Sequence, residues 1–143
     1  MLDQIVIDLS KYRLEKAYDL LGQAEILFEN QKYDGSINRS YYAIFNAMRS
    51  LLALLKLDSS THAGVLSFYD RYFVKTNIFD KKFSKIAHSA FDSRQDSDYE
   101  DFYQPSKEDA EQQLQQAKSF LSEIKLKREQ LINQELSLPI IEN

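Results

Sequence analysis

Arg39, Tyr42, Asn46 and Arg49 follow one another at steps of three and four residues, the step that keeps side chains on one face of an α-helix. Arg39 and Asn46 then lie about 10 Å apart along the axis. Two guanidinium groups with a phenol and an amide between them form a polar stripe that can line an anion cleft, because fixed N–H donors and positive charge suit phosphate oxygens. The same groups also suit interhelical hydrogen bonds. Further on, Arg94 leads into Gln95-Asp96-Ser97-Asp98-Tyr99-Glu100-Asp101-Phe102-Tyr103. If helix persists there, Asp98 stands one turn from Arg94 and can pair with it, a contact of only some tenths of a kcal/mol at an exposed surface. An arginine entering so acidic a segment is also a candidate organiser of a site. The two histidines, His62 and His88, have no spacing that would hold a metal, and each reads as a surface or capping residue. Zero cysteines exclude disulfides, thiolate metal sites and cysteine nucleophiles. Gly22, Gly35 and Gly64 stand alone, so no glycine-rich phosphate loop is present.

The elements that must position these groups read as helices. The chain has 143 residues, 43% hydrophobic and 28% charged, with three glycines and two prolines, a size for one domain and a composition poor in the turns that sheets need. Apolar residues recur at helical steps over five stretches. The first runs from about residue 10 to 30. The second, the most hydrophobic, ends near Leu57. A short third carries Val65, Phe68, Tyr69, Tyr72 and Phe73 behind the capping cluster Asp58-Ser59-Ser60-Thr61. The fourth starts near Asp80 and gives way around Arg94. Pro105 interrupts the chain, and Ser106 with Asp109 forms a capping box that opens the fifth. Short connections between long amphipathic helices predict an all-α, up-and-down four-helix bundle with one short additional helix. The expected organisation is a single domain over 1–143, with its core at about 8–130 and a frayed tail at about 133–143.

The net charge of −4 conceals a split. Residues 1–34 hold four bases and seven acids, 35–88 eight bases and three acids, and 89–143 six bases and twelve acids. The basic middle also carries Tyr41, Tyr42, Tyr69, Tyr72, Phe79 and Phe83. Such a mixture suits a phosphate-bearing ligand with stackable bases, or else it is a core of aromatics under solvated charged faces. Opposed charges within one chain also suit self-association or a charged partner. No apolar run is long enough to span a membrane, and the first ten residues do not resemble a signal peptide, so a cytoplasmic protein is expected.

Ser36-Ile37-Asn38-Arg39-Ser40-Tyr41-Tyr42-Ala43-Ile44-Phe45-Asn46-Ala47, followed by Arg49 and Leu51-Leu52, resembles the arginine-tyrosine-tyrosine helix of the HEPN domains (higher eukaryotes and prokaryotes nucleotide-binding). Thr61-His62-Ala63-Gly64-Val65, Phe73-Val74-Lys75-Thr76 and the segment from Arg94 through Tyr103 are similar, in the same order, to the small branch encoded beside minimal nucleotidyltransferases. The resemblance covers about residues 8–130. It implies a HEPN-like bundle that forms a homodimer with a cleft between protomers, no cofactor and no metal, and a nucleotidyltransferase partner in a toxin-antitoxin-like pair. It implies binding of RNA, tRNA included, or of a nucleotide through Arg39, Tyr42, Asn46 and Arg49, and metal-independent endoribonuclease activity at Arg94, Asp98 and Tyr99. Tyr99 and Tyr103 become candidate acceptors of nucleotidylation by the partner. The chain departs from the pattern at one place: the ribonuclease members carry a histidine four to six residues after the arginine, and Asp98 and Tyr99 occupy that region here. Tyrosine is mostly protonated at neutral pH and aspartate is a weak base, so neither replaces imidazole in proton transfer. Two other readings remain: a non-catalytic nucleotide- or protein-binding module, and a helical protein whose charge split serves assembly alone.

Overall fold

Helix signals in the sequence become five α-helices in the computed structural model, which describes residues 2–99 and 101–142, with the side chains of residues 97 and 99 outside that description. Helix α1 spans Gln4–Glu29, α2 Tyr33–Leu54, α3 His62–Tyr69, α4 Lys81–Tyr99 and α5 Lys107–Ile132. The all-helical bundle is the one expected, and no strand occurs among the described residues. α3 runs into a single π turn, Asp70–Val74, closed by the Lys75 N–H donating to the Asp70 carbonyl at 2.8 Å.

Two helix boundaries differ from the sequence expectation. α1 begins at Gln4 rather than near residue 10, because the Asp3 carboxylate accepts the Ile5 N–H and caps the first turn. Val6 and Ser10 thereby extend the buried stripe Leu14, Ala17, Leu21 and Ala24 by two turns. α4 continues past Arg94 to Tyr99, and the Arg94–Asp98 ion pair, 2.8 Å across one turn, joins side chains on the same face of that extension. The fifth helix opens as its sequence indicates: the Ser106 hydroxyl accepts the Asp109 N–H and the Asp109 carboxylate accepts the Ser106 N–H.

Side-chain ties fix the helix directions. Ser36 donates to the Ala24 carbonyl at 2.8 Å and Arg13 to the Arg49 carbonyl at 3.3 Å, so α1 and α2 run antiparallel. Arg128 donates to the Ser10 hydroxyl at 2.7 Å while Lys118 pairs with Glu25, which sets α5 antiparallel to α1. Gln113 bonds Ser93 at 3.1 Å and the Phe120 and Phe83 rings meet at 6.3 Å, so α4 and α5 are antiparallel as well. α2 is the centre of the bundle, with fourteen of its residues buried, Ile37, Ile44, Met48, Leu51 and Leu52 among them.

The aromatic residues of the basic middle separate in the fold. Tyr41, Tyr69, Tyr72, Phe79 and Phe83 are buried, and Tyr69 packs its ring 5.5 Å from Phe79 and 5.6 Å from Phe120. Tyr42 alone of the six is half-buried. Beyond α5, Leu136 and Leu138 pack against the core. No helix among the described residues is long and apolar enough to cross a membrane.

Helix ends are closed by non-glycine residues in left-handed conformation, Gln31 at φ 63° after α1 and Gln134 at φ 62° after α5. A Cβ is disfavoured there by about 1–2 kcal/mol, partly offset by the greater chain freedom that glycine loses on folding. Gln31→Gly and Gln134→Gly are each expected to stabilise the fold by about 0.5–1 kcal/mol, a rise in Tm of about 2–4 °C. Thermal melts followed by circular dichroism check this; unchanged or lower midpoints would refute it.

Candidate functional site

One patch of the surface gathers side chains from three helices around the half-buried flank of α2. α4 contributes Arg94, α2 contributes Tyr41, Tyr42 and Phe45, and the first residue of α3 is His62. The Arg94 guanidinium donates to the Tyr42 hydroxyl at 3.2 Å and forms its ion pair with Asp98 at 2.8 Å. It also lies 5.7 Å from the Tyr41 ring centre and 5.8 Å from that of Tyr42, within cation–π range of both. Its side chain is 15% exposed, a partly desolvated cation whose remaining access is at the edge of the bundle.

His62 reaches the same two rings from the other side of the sequence. Its Nδ1 is 2.9 Å from the Tyr41 hydroxyl, and its ring centre lies 4.4 Å from Phe45, 5.6 Å from Tyr41 and 5.7 Å from Tyr42. Burial lowers the imidazole pKa below its ordinary value and the Arg94 charge lowers it further, while Asp98 opposes them. Burial also drives the Tyr41 phenol far above the usual tyrosine range, outweighing Arg94, so it stays protonated.

A second set of contacts holds His62 in place. Asp58, in the connection after α2, accepts from Arg49 Nε at 3.2 Å and Arg49 Nη2 at 2.8 Å, from Arg13 at 3.4 Å and from the Ser59 N–H at 2.9 Å. The Thr61 hydroxyl then caps α3 by accepting the Gly64 N–H at 3.0 Å. Gly64 sits so close beneath this turn that a Cβ would stand 2.0 Å from the Ser59 hydroxyl oxygen and 2.8 Å from that of Thr61. Any side chain at that position would force Ser59 and Thr61 to shift.

The HEPN domain model matches residues 10–128, which include each of these side chains. The chain belongs to the HEPN domain family. "Putative toxin MJ0605" of Methanocaldococcus jannaschii is 34% identical over 112 residues, covering 78% of this chain and 83% of the relative. A "UPF0332 protein" of Thermotoga maritima is 32% identical over 114 residues, 80% of this chain and 86% of the relative. "Putative toxin MJ0142", also of Methanocaldococcus jannaschii, is 32% identical over 112 residues, 78% of this chain and 76% of the relative.

Within this HEPN domain the predicted site residues fall into two groups. Arg94, Asp98 and Tyr42 come together as described. Arg39, Asn46 and Arg49 point to other contacts: Arg39 donates to Gln23 at 3.2 Å and Asn38 at 2.9 Å, Asn46 to the Tyr42 carbonyl at 2.8 Å, and Arg49 to Asp58. Tyr103 is half-buried, in a recess lined by Tyr33, Asp34 and Gln104. The Tyr99 side chain lies outside the described residues.

The sequence reads His62 as a cap or surface residue, and nothing in its spacing demands that it enter the Arg94 cleft. The Thr61 cap does place it in the first turn of α3, but only the packing of that turn on α2 brings it to Tyr41. His88 lies elsewhere in the HEPN bundle, with Nε2 2.7 Å from Asp70, whose other oxygen accepts from Ser84 at 2.6 Å. A cleft of about 500 Å³ between α3 and α4 is lined by Arg71, Lys75, His88 and Phe91, and it borders the Arg94 patch through Ala63 and Phe91.

Asp58 has its pKa lowered, first by its hydrogen bond from Arg49 and then by the Ser59 N–H and the two arginine charges, against burial. A carboxylate with a depressed folded-state pKa contributes stability that is fully present above the unfolded value of about 3.9 and is lost as pH falls through the lower folded value. Asp58→Asn is therefore expected to lower Tm near neutral pH and to converge on the wild type below about pH 4. Melts across that range test it; a gap independent of pH would show that the charge is not responsible.

Proposed function

We propose that this HEPN protein is the toxin-like member of a two-component pair with a nucleotidyltransferase, and that it binds RNA and cleaves it without a metal in a cleft formed by a homodimer. The observation that carries the reading is Arg94: a partly desolvated guanidinium held over two tyrosine rings, one of which, Tyr41, meets Phe91 of the neighbouring groove between α3 and α4. A cation fixed in that way stabilises the charge that builds on phosphate oxygens when phosphorus becomes five-coordinate, without having to reorganise first. Tyr42, half-buried beside it, offers a ring edge and a hydroxyl to a base or ribose. The groove between α3 and α4 gives a polynucleotide a path away from the reacting phosphate; Arg71 and Lys75 fit the salt-dependent contacts that phosphates make, while Asp70 and Asp92 on the same lining restrict where a phosphate can sit. The relatives named as toxins support the same class of function.

One observation favours a second reading, a nucleotide- or protein-binding module with no ribonuclease activity. Asp98 already occupies one side of Arg94 at 2.8 Å, and a phosphate must displace or tolerate that carboxylate.

A single assay separates the two. Incubation of the purified protein with total tRNA in EDTA is expected to give discrete fragments, and Arg94→Ala to reduce the rate by about a hundredfold or more. Binding without fragments, or fragments unaffected by Arg94→Ala, would overturn the ribonuclease reading. The partnership makes its own demand. If a nucleotidyltransferase is encoded beside it, incubation with that enzyme and ATP is expected to give the protein adenylyl mass that Tyr99→Phe with Tyr103→Phe abolishes; an unchanged intact mass would remove both tyrosines as acceptors.

A further inference from the structure

Cleaving an RNA strand without a metal requires a group that takes the 2′-hydroxyl proton as the 2′ oxygen attacks phosphorus. On α4 the carboxylate nearest to Arg94 is Asp98, which is engaged with the guanidinium. A second helix supplies what α4 does not. His62 is fixed by the Tyr41 hydroxyl at Nδ1 and by the face of Phe45, and it shares the Tyr41 and Tyr42 rings with Arg94. Its Nε2 makes no hydrogen bond among the described residues and is not sealed from solvent. An imidazole held at one nitrogen and open at the other is the arrangement of an oriented general base.

We propose that His62 is the proton-transfer residue of the Arg94 site, taking the ribose 2′-hydroxyl proton on Nε2; the inference rests on the ribonuclease reading above. In the tautomer whose Nδ1–H is donated to the Tyr41 oxygen, Nε2 presents its lone pair outward. The 2′ oxygen bonds to phosphorus and its proton passes to Nε2. The bond from phosphorus to the 5′ oxygen breaks, and that oxygen takes a proton from water. The hydroxide so formed recovers the proton from His62. The products are a 2′,3′-cyclic phosphate and a 5′-hydroxyl end, and the imidazole returns to its starting state.

The surroundings agree with this role. The titratable and charged groups that act on the ring are Tyr41 and Tyr42 from α2 and Arg94 and Asp98 from α4. Burial and the Arg94 charge favour the neutral imidazole, the form a base needs, and Asp98 acts in the opposite direction. His88 does not fit the role, because its Nε2 is engaged by Asp70.

The test uses the full-length protein in EDTA, with a defined oligoribonucleotide under single-turnover conditions from about pH 5 to about pH 9 and its 2′-O-methyl counterpart for affinity. His62→Asn and His62→Gln are expected to cleave at least about a hundredfold more slowly, to bind the 2′-O-methyl strand as the wild type does, and to lose the acid limb of the pH–rate profile. In the wild type that limb should coincide with the titration of the His62 imidazole followed by NMR. This comparison decides the matter even where a variant folds poorly. Variants that keep the wild-type rate and limb, or a limb that tracks His88 instead, would overturn the assignment and leave Arg94 as the phosphate group. Strands bound by the wild type but never cut would overturn the ribonuclease reading itself, and the step at His62 with it.

Discussion

α2 has to be buried on almost every side, and the bundle is arranged around that requirement. Buried polar groups on such a helix need partners inside the protein, and backbone carbonyls serve two of its serines: Ser36 donates to the α1 backbone and Ser50 to the Ala47 carbonyl within its own helix, at 2.6 Å. Small residues make the enclosure close. Ala17 and Ala24 of α1 and Ala43 and Ala47 of α2 have no exposed surface, which lets the two helices approach without large side chains between them. Only one flank of α2 stays partly open, and it carries Tyr42, Phe45 and Arg49.

That open flank explains why the site is assembled from separate helices. Arg94 and His62 both need a surface that is apolar enough to desolvate them and aromatic enough to hold a cation, and the Tyr41, Tyr42 and Phe45 rings provide it. Tyr41 works from both sides, with its ring under the guanidinium and its hydroxyl on the imidazole. Arg49 acts at one remove. It holds Asp58, Asp58 fixes the connection into α3, and the Thr61 cap sets the first turn on which His62 stands. The sequence pairs Arg39 with Arg49 in one stripe, yet in the fold one of them braces α1 and the other braces this connection.

Much of the fold could be read from residue spacing, and less of the site. Apolar steps of three and four locate α1, α2 and α5, and the Ser106–Asp109 pair marks the start of α5 to the residue. The early start of α1 hung on Asp3, a single capping carboxylate ahead of a weak stripe, and the Arg94–Asp98 pair, readable only if helix persists, lies in an acidic, polar segment with no apolar stripe to extend α4. Arg94, Asp98 and Tyr42 were legible through local pattern and family resemblance. His62 was not, because its place depends on the packing of a short helix against α2, a contact between residues distant in sequence that no local periodicity encodes. Aromatics among basic residues misled for a related reason: composition does not distinguish a ring that faces a ligand from one that fills the core, and most of these fill the core.

The two tyrosines that cradle Arg94 have an optical consequence. The chain contains nine tyrosines and no tryptophan, so its ultraviolet emission comes from phenols alone, without a brighter indole to mask them. One of those phenols is bonded to an imidazole and another to a guanidinium, both within the Arg94 patch. A ligand that breaks either bond would change chromophores already built into the protein, and its binding could be followed in the unlabelled molecule.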